Sequence, residues 1–446
     1  MMLIISGFHQ VEPGKEPATD LPLYTVGSNP YFSACYAPDT PEDYIAQVAE
    51  RVVSQNVSTY LGEQMSFQPG NRWGTTATDG SGLGQGDPTV ITWNIVNDGL
   101  FLPGLIGEPG ANSDLRAFLD SIYPGGEAVW LPIFETIFTA WGDLIGVTYV
   151  HETNDDGAPF STSPGVLGVR ADVRVGGHLI DGNSGILAYN SFPNNGDMVI
   201  DTADNFYFNT GGNSLGLRNV LSHEHGHGMG IFHVCPVQQT KLMEPFVSFA
   251  FDGPQHDDIL TSNRLYGDSL EPNDSAADAT QLGDVTIPAP PSVPLSVDGI
   301  GDQDLYRIES PNGGNLTVTL TPVGFQYLEG PQNQITGACT PGTSFNSLTL
   351  NDLSLSVLDT DGTTVLGFAD DNPAGQGEML NEVAIGAGSY YIRVSADQDA
   401  VQLYEFNYSF TSVQACVYEE LIPLWAITDA PCLGRPPTIL DILAEL

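Results

Sequence analysis

The sequence predicts a mixed α+β (α/β) domain followed by an all-β domain. Segments with helix and strand patterns alternate up to residue 268, and alternating strands with turn signals follow without a helix-period segment. The first part is expected to hold a mixed, twisted sheet with three helices, and the second an antiparallel β-sandwich. We divide the chain into a propeptide-like N-terminal segment at 1–70, a first domain at 71–268, a second domain at 269–412 and a C-terminal tail at 413–446.

Hydrophobic periodicity supports each predicted element in turn. Ile45, Val48 and Val52 recur at helical spacing in the N-terminal segment. The elements predicted for the first domain are a strand at 90–96, a helix at 128–143, strands at 147–151, 171–175 and 186–190, and a helix at 214–228. The strands predicted for the second domain are at 315–321, 348–358, 390–394 and 404–409.

The composition limits the classes of partner. The 446 residues carry 55 Asp and Glu against 12 Lys and Arg, a formal net charge of −43. Such a chain repels phosphate backbones and anionic lipid surfaces, so we expect no nucleic-acid partner. No run of 18 apolar residues predicts a membrane span. The apolar stretch at 1–8 is too short for a signal peptide, yet the composition is typical of a secreted, extracellular protein, which we expect to be a monomer.

The strongest chemical signal is an eleven-residue stretch that begins at His223 and reads HEHGHGMGIFH. His223 and His227 are four residues apart, so both project from one face of a helix and can bind the same ion. Gly230 permits a sharp reversal after the helix, which returns His233 as a third ligand. Three neutral imidazoles leave one zinc position for water, and Glu224 can take the proton of that water as general base.

The neighbouring His225 points away from the other two histidines of the helix, so we expect it on the helix surface.

The stretch resembles the extended zinc motif of the metzincin metallopeptidases, and Met243 in the sequence KLMEP resembles the Met-turn that follows it. Pro245 stands two residues after this methionine, as in matrixins, whereas astacins and serralysins have Tyr there. The sequences at 88–97, 140–143 and 255–267 resemble further parts of a matrixin catalytic domain. The resemblance implies a metzincin-like fold, zinc held by the three histidines, and Met243 beneath the zinc site.

The same resemblance bears on further metal ions. Matrixins often bind a second, structural zinc, but Tyr189 and Val199 stand where two of its histidines would fall, so we expect a single zinc. Acidic loops of matrixins bind calcium. Alternatively, the matching acidic residues here are ordinary solvated side chains, since the chain is acidic throughout. The candidate calcium ligands are Asp172, Asp181, Asp197, Asp201 and Asp204.

By the same resemblance, one strand is the edge strand that pairs with an extended peptide substrate through main-chain hydrogen bonds. Its residues are Ile186, Leu187, Ala188, Tyr189 and Asn190. Tyr189 and Phe246 either shape the specificity pocket or serve as ordinary core residues.

The five cysteines form no CxxC pair, which argues against a thiolate zinc site. Cys35, in the sequence CYAPD, partly resembles the matrixin cysteine switch, in which a propeptide thiolate fills the open zinc position. The Arg that usually precedes this cysteine is Ala34 here. A disulfide between Cys35 and Cys235 and unpaired structural cysteines are the other two interpretations.

The second domain resembles the bacterial pre-peptidase C-terminal (PPC) domain of secreted proteases. The resemblance rests on the sequence EPND at 271–274, the stretch at 301–306 and the strand sequence GSYYIRV at 388–394. It implies a calcium site, although a simple Asx-turn at the domain boundary would explain the same residues. The candidate ligands are Glu271, Asn273 and Asp274, with Asp302 or Asp304 in addition.

These patterns predict a secreted zinc metalloendopeptidase that acts on protein or peptide substrates. One alternative is a metzincin scaffold that has lost catalysis and serves as an extracellular binding or adhesion protein. Such a loss usually removes the Glu or a His of the motif, and none is missing here. A third interpretation is a zinc hydrolase that acts on non-peptide substrates. The Met-turn and the second domain favour proteolysis instead.

Overall fold

The computed structural model describes residues 32–55, 68–333 and 335–412. The predicted tail at 413–446, the stretch at 1–8 and most of the N-terminal segment lie outside these ranges. The helices are α1 Glu42–Gln55, α2 Leu115–Ile122, α3 Glu127–Gly142, α4 Gly211–Gly228 and α5 His256–Tyr266, and two 3-10 helices lie at Asn205–Phe208 and Ser347–Thr349. No helix in these ranges is both long enough and apolar enough to cross a membrane.

The first part of the chain contains a six-stranded mixed sheet. Its strands and the short strands around it are β1 Phe32–Tyr36, β2 Thr75–Thr76, β3 Gly80–Ser81, β4 Thr89–Ile95, β5 Phe101–Leu102, β6 Ala111–Asn112, β7 Val147–His151, β8 Val173–His178, β9 Ile186–Ser191, β10 Met198–Asp201 and β11 Val234–Cys235. The order in the sheet is β1-β9-β10-β8-β4-β7. The four strands from β10 to β7 pair in parallel, and β9 is antiparallel to both of its neighbours.

Helices α3 and α4 pack with this sheet around one core. Trp130, Phe134 and Trp141 of α3 are buried in the same cluster as Val175 and Met198 of the sheet. The indole of Trp141 also donates to a backbone carbonyl of α4 at 3.2 Å. These contacts fix α4, the helix that carries the histidine motif, against the sheet.

Four helices, not the predicted three, lie between residues 71 and 268 in the described part of the chain. The additional helix is α2, which has only eight residues and is flanked by polar and Gly-rich sequence. Its apolar residues Leu115, Phe118, Leu119 and Ile122 recur at helical spacing and pack on the core, but the run is only eight residues long and the polar sequence around it predicts a loop.

The second part of the chain is built from two larger sheets. Its strands are β12 Thr280–Asp284, β13 Leu295–Val297, β14 Gln303–Ser310, β15 Gly314–Pro322, β16 Gln326–Pro331, β17 Thr343–Asn346, β18 Leu353–Leu358, β19 Val365–Ala369, β20 Glu378–Ile385, β21 Gly388–Ala396 and β22 Gln402–Ser412. One sheet has the order β12-β14-β21-β18-β19 and the other β13-β22-β15-β20. Residues of both contribute to one buried cluster. The sheets are not wholly antiparallel, because β12 pairs with β14 in parallel.

A smaller sheet connects the two parts. Strand β11 follows the histidine motif and pairs with β16, which in turn pairs with β17. A disulfide joins Cys235 of β11 to Cys339, 104 residues later in the chain. The loop between β16 and β17 is therefore held beside the end of the histidine motif.

Candidate metal centre

Helix α4 places the first two histidines and the glutamate. Its regular part begins after Ser214, because Gly212, Asn213 and Ser214 have φ values of 62°, 57° and 60°. Past the helix, Gly230 has a φ of 101°, and a Cβ there would meet the carbonyl oxygen of Asn71 at 2.0 Å. Only glycine fits this reversal, as the sequence predicted, and the chain then returns to His233.

The three histidines turn the same ring nitrogen toward one another. Nε2 of His233 lies 3.1 Å from Nε2 of His223 and 3.1 Å from Nε2 of His227. The opposite nitrogens face acceptors: Nδ1 of His223 donates to the Leu242 carbonyl at 2.7 Å, and Nδ1 of His227 donates to the Ile231 carbonyl at 2.7 Å. These bonds place the ring proton on Nδ1 and leave the lone pair on Nε2.

This arrangement fits a bound cation. Three lone pairs about 3 Å apart cannot satisfy one another, because neutral rings of this tautomer carry no proton on Nε2. Burial lowers the pKa of His223 to about 3 and that of His233 to about 4, and it depresses the pKa of His227 strongly, so all three rings are neutral. Three neutral nitrogen donors at this spacing suit zinc, an ion that proteins bind with three or four side chains.

Glu224 lies beside the three histidines and is fully buried. Its Oε1 accepts a hydrogen bond of 2.9 Å from the backbone amide of Cys35, whereas Oε2 has no partner among the described residues. Burial raises the pKa of this carboxyl. An unsatisfied carboxylate oxygen next to a cation site is available to receive a proton.

The Met-turn lies directly under the helix. A Cβ on Gly226 would meet Sδ of Met243 at 2.4 Å, so the glycine permits the close approach. The turn is held by Asp258 of α5, which accepts hydrogen bonds from the amides of Leu242 and Met243 at 2.8 and 3.1 Å. Asp258 lies in the stretch at 255–267 that resembles a matrixin, but no pattern in the sequence indicated its role.

The third histidine has a partner from the second part of the chain. Nδ1 of His233 donates to Oε1 of Gln332 at 2.6 Å. Gln332 follows β16, and its Nε2 donates to the Gly337 carbonyl at 2.8 Å. No feature of the sequence marked this glutamine, because it is 99 residues from the histidine.

Strand β1 lies along the strand that the sequence predicted to bind substrate. It runs antiparallel to β9, with Ala34 opposite Tyr189 and Cys35 opposite Ala188. On its other side, the Tyr36 amide donates to the Pro245 carbonyl at 3.0 Å, and the Val247 amide donates to the Tyr36 carbonyl at 3.1 Å. The N-terminal segment therefore fills the gap between β9 and the chain after the Met-turn.

Of the three interpretations of these cysteines, the Cys35–Cys235 disulfide is wrong. Cys235 pairs with Cys339, because β11 turns away from the metal centre toward β16. Cys35 is buried and forms no disulfide within the described residues. Its sulfur lies within 4.8 Å of donor atoms of His223 and Glu224, and burial together with the Glu224 charge raises the pKa of the thiol.

His225 was also misassigned, because it is not a surface residue. Its side chain is fully buried, with Nε2 2.7 Å from the Tyr149 hydroxyl and the ring against Phe138 and Trp141. Helical spacing correctly turned it away from the metal centre, but it could not show that α3 and β7 cover that side.

Tyr189 and Phe246 occupy different surroundings. Tyr189 is fully buried, and its hydroxyl donates to Oε1 of Glu108 at 2.9 Å. Phe246 packs with Tyr36 of β1 at a ring-centroid distance of 6.2 Å. Phe246 thus contacts β1 through its ring, and Tyr189 belongs to the same buried cluster as Ala34 and Tyr36 of that strand.

The five predicted calcium ligands of the first domain hold loops through backbone amides. Asp172 accepts hydrogen bonds from the amides of Ala77, Thr92 and Gly165 and from the Thr92 hydroxyl. The other four carboxylates also accept from backbone amides: Asp181 from Ile186, Asp197 from Ser161 and Arg174, Asp201 from Asp181 and Gly182, and Asp204 from Ser184 and Phe206. Calcium binding by these residues stays a prediction.

A second acidic group lies at the start of the second part of the chain. Carboxylate oxygens of Glu271, Asp302 and Asp304 lie within 4.8 Å of one another. Asn273 is fully buried, and neither atom of its side-chain amide has a partner in the described part of the chain. Asp274 lies beside the group and accepts from the Gln303 amide at 3.3 Å. Burial first, and repulsion by neighbouring carboxylates second, raise the pKa of Glu271 to about 9 and that of Asp302 to about 8.

Comparisons with known proteins agree with the motif. Residues 132–267 match the family model described as Matrixin, a stretch that includes α4, the Met-turn and α5. No curated protein matches the chain. Among solved structures, the pre-peptidase C-terminal domain of a collagenase from Bacillus anthracis is similar, with 14% identity, a TM-score of 0.19 and coverage of 29% of this chain and 94% of that chain.

Proposed function

We propose that this chain, with its matrixin segment, is a secreted zinc-dependent endopeptidase. The observation that carries the proposal is the convergence of three Nε2 atoms beside a buried Glu224 with one unpaired oxygen. Zinc held there would lower the pKa of a bound water and polarise a peptide carbonyl. His223, His227 and His233 would hold the ion, and Met243 would support the site from below.

The roles of this chain's own groups follow from their positions. Oε2 of Glu224 takes the proton of the attacking water and delivers it to the leaving amine. Strand β9 and the carbonyl of Pro245 provide hydrogen-bonding edges on both sides of an extended peptide, as they do for β1. This two-sided edge favours peptide substrates over other hydrolysable compounds, because it recognises a backbone.

The same geometry supports latency in the full chain. Strand β1 occupies the edge of β9, so another peptide has to displace it. The acidic group at Glu271, Asp302 and Asp304 is proposed as a calcium site, with Asn273 as a neutral oxygen donor. A scaffold that only binds partners is the weaker candidate, since every catalytic group is present and converges.

The test is hydrolysis of fluorescent casein by the zinc-loaded protein and by its Glu224→Gln variant, both carrying Cys35→Pro, which removes the amide that contacts Glu224 and so weakens the docking of β1. Glutamine keeps the shape but cannot accept the proton, so activity should fall by about 10²- to 10⁴-fold while zinc content stays at one per chain. Glu135→Gln, an exposed change on α3, is the matched control and should leave the rate unchanged. Equal activity in the Glu224→Gln variant would overturn the proposed base.

A further inference from the structure

We propose that the second part of the chain is an integral component of the metal centre, with Gln332 as the residue that positions His233. This role rests on the proposed function, because it concerns the same site. A domain appended after a catalytic domain need not touch the catalytic groups. Strand β16, however, contacts the first part of the chain near its start, in its middle and at its end.

The contact near the start of β16 is made by Tyr327. Its hydroxyl donates to Oδ1 of Asp257 on α5. The next residue of this helix is Asp258, which accepts from the amides of the Met-turn. In addition, the ring of His256 lies 4.6 Å from the ring of Phe325, measured between centroids. The strand therefore packs on the turn of α5 that holds the Met-turn.

The contact in the middle of β16 is made by Glu329. Its Oε1 accepts from Nε2 of Gln68 at 3.0 Å, and both side chains are buried. The Gln68 carbonyl in turn accepts from the Phe232 amide at 3.1 Å. Because Phe232 directly precedes His233, this pair of side chains ties β16 to the reversal that returns the third histidine.

The end of β16 reaches the metal ligand itself. The strand pairs antiparallel with β11, which begins directly after His233. Gln332 follows the paired residues and accepts from Nδ1 of His233 at 2.6 Å. A slip of one residue along this ladder would move Gln332 by about 3.3 Å and turn its side chain to the other face. The register of β16 therefore decides whether the bond to the histidine forms.

The glutamine side chain is held in one orientation. Its Nε2 donates to the Gly337 carbonyl at 2.8 Å, and Cys339 of the disulfide follows two residues later. A carbonyl only accepts hydrogen bonds, so Nε2 faces Gly337 and Oε1 faces the histidine. Gln332 thus presents a fixed acceptor to the ring.

This acceptor matters for a bound ion. An acceptor at Nδ1 keeps the ring proton there and leaves the lone pair of Nε2 for the metal. The acceptors for His223 and His227 are backbone carbonyls of the first part of the chain. The acceptor for His233 comes from the second part. The first part therefore orients two of the three ligands, and the second part orients the third.

The first test compares two replacements of Gln332 in the full chain. Gln332→Glu loses the bond to Gly337 but keeps an acceptor for Nδ1, whereas Gln332→Met has a similar length and loses both. Cobalt(II), which gives visible absorption when bound by nitrogen ligands, is titrated into metal-free protein. Gln332→Met should bind cobalt about 10- to 100-fold more weakly than wild type, and Gln332→Glu should stay within a few-fold. Equal losses in both variants, or no loss in either, would overturn the role of Gln332.

The second test asks whether metal binding depends on the folding of the second part. Leu355→Ala opens a cavity in the core of that part and should lower its urea midpoint, followed by far-UV circular dichroism, by about 1 M. Cobalt should then be released at a urea concentration that is lower by a similar amount. Leu366→Ala, the same change at an exposed position on β19, should leave the release unchanged. Release at the wild-type concentration from a destabilised Leu355→Ala protein would overturn the inference.

Casein hydrolysis separates this inference from the proposed function. Cleavage by the zinc-loaded Cys35→Pro protein, together with cobalt binding that neither Gln332→Met nor Leu355→Ala changes, would overturn the role of the second part and leave the peptidase function standing. A folded wild-type chain that binds neither zinc nor cobalt would overturn the peptidase function itself.

Discussion

Gln332 accepts a hydrogen bond of 2.6 Å from Nδ1 of His233, across 99 residues of sequence. The histidine belongs to the first part of the chain and the glutamine to the loop between β16 and β17 of the second. The Cys235–Cys339 disulfide closes the same connection, and Gln332 also forms an isolated β-bridge with Cys339. The second part of the chain thus completes the surroundings of the candidate metal centre.

Removing the glutamine should weaken zinc binding. In Gln332→Ala the His233 ring loses the acceptor that fixes its orientation and its tautomer, and such outer partners change metal affinity by about 10- to 100-fold. Zinc affinity is measured by competition with a chromogenic chelator. Gln332→Glu keeps an acceptor for Nδ1 and should stay within a few-fold of wild type, whereas a merely structural glutamine would lose affinity in both variants. Gln326→Ala, exposed on β16, serves as control.

The disulfide should act on zinc through the same glutamine. Replacing both Cys235 and Cys339 with serine frees the Gln332 loop, so zinc affinity should fall in the same direction as in Gln332→Ala. A variant that combines Gln332→Ala with the two serine replacements should lose little more zinc affinity than either variant alone, because both changes remove the same interaction with His233. Chelator competition on the three variants measures this coupling. Full additivity of the two losses would show that disulfide and glutamine act independently.

Calcium should stabilise the second part of the chain. Glu271, Asp302 and Asp304 repel one another and lie near a buried amide with no partner, so a bound cation relieves an unfavourable cluster. At 100-fold excess over its dissociation constant, calcium adds about 2.7 kcal/mol to the free energy of unfolding. Thermal unfolding with and without calcium checks this. Asp304→Asn should abolish most of the shift, and Asp397→Asn, on the exposed surface, should not.

The same cluster should make stability depend on pH. Burial and neighbouring carboxylates raise the pKa of Glu271 to about 9 and of Asp302 to about 8, above their values in an unfolded chain. The folded state therefore binds more protons, and its stability falls as pH rises from about 4 to about 9. The neighbouring carboxylates that contribute are Asp302, Asp268 and Asp274 for Glu271, and Asp298, Asp274 and Asp268 for Asp302.

Calcium offsets the repulsion between the ionised groups, so its effect on the melting temperature should be larger at pH 9 than at pH 6. An equal shift at both values of pH would contradict this account.

Loss of Asp258 should loosen the Met-turn. Asp258→Ala leaves the amides of Leu242, Met243 and Gln255 without their acceptor, and each buried orphan donor costs about 1–3 kcal/mol. We expect a loss of about 3 kcal/mol or more in urea unfolding, with weaker zinc binding because the Leu242 carbonyl orients His223. Asp252→Ala removes an exposed carboxylate from its ion pair with Arg218 and should change stability by less than about 1 kcal/mol. Equal effects of the two changes would refute the assigned role.

The sequence by itself determined the features that depend on short-range geometry. The spacing of His223 and His227, the reversal at Gly230 and the return of His233 all follow from helix periodicity and backbone sterics within eleven residues. The strand at 147–151, the strand near 186–190 and the helix that ends at Gly228 were placed by hydrophobic pattern alone. The resemblance to matrixins rested on the same short stretches of sequence, and the match of residues 132–267 to the family model confirms it.

Only the tertiary structure decided which distant segments meet at this site. The pairing of β1 with β9, the bond from Gln332 to His233 and the Cys235–Cys339 disulfide each join residues about 100 or more positions apart. No local pattern encodes them, because a backbone edge or a ring nitrogen accepts any partner that folding brings near. His225 shows the same limit: periodicity gave the direction of its side chain, but the packing of α3 and β7 decided that this direction is buried.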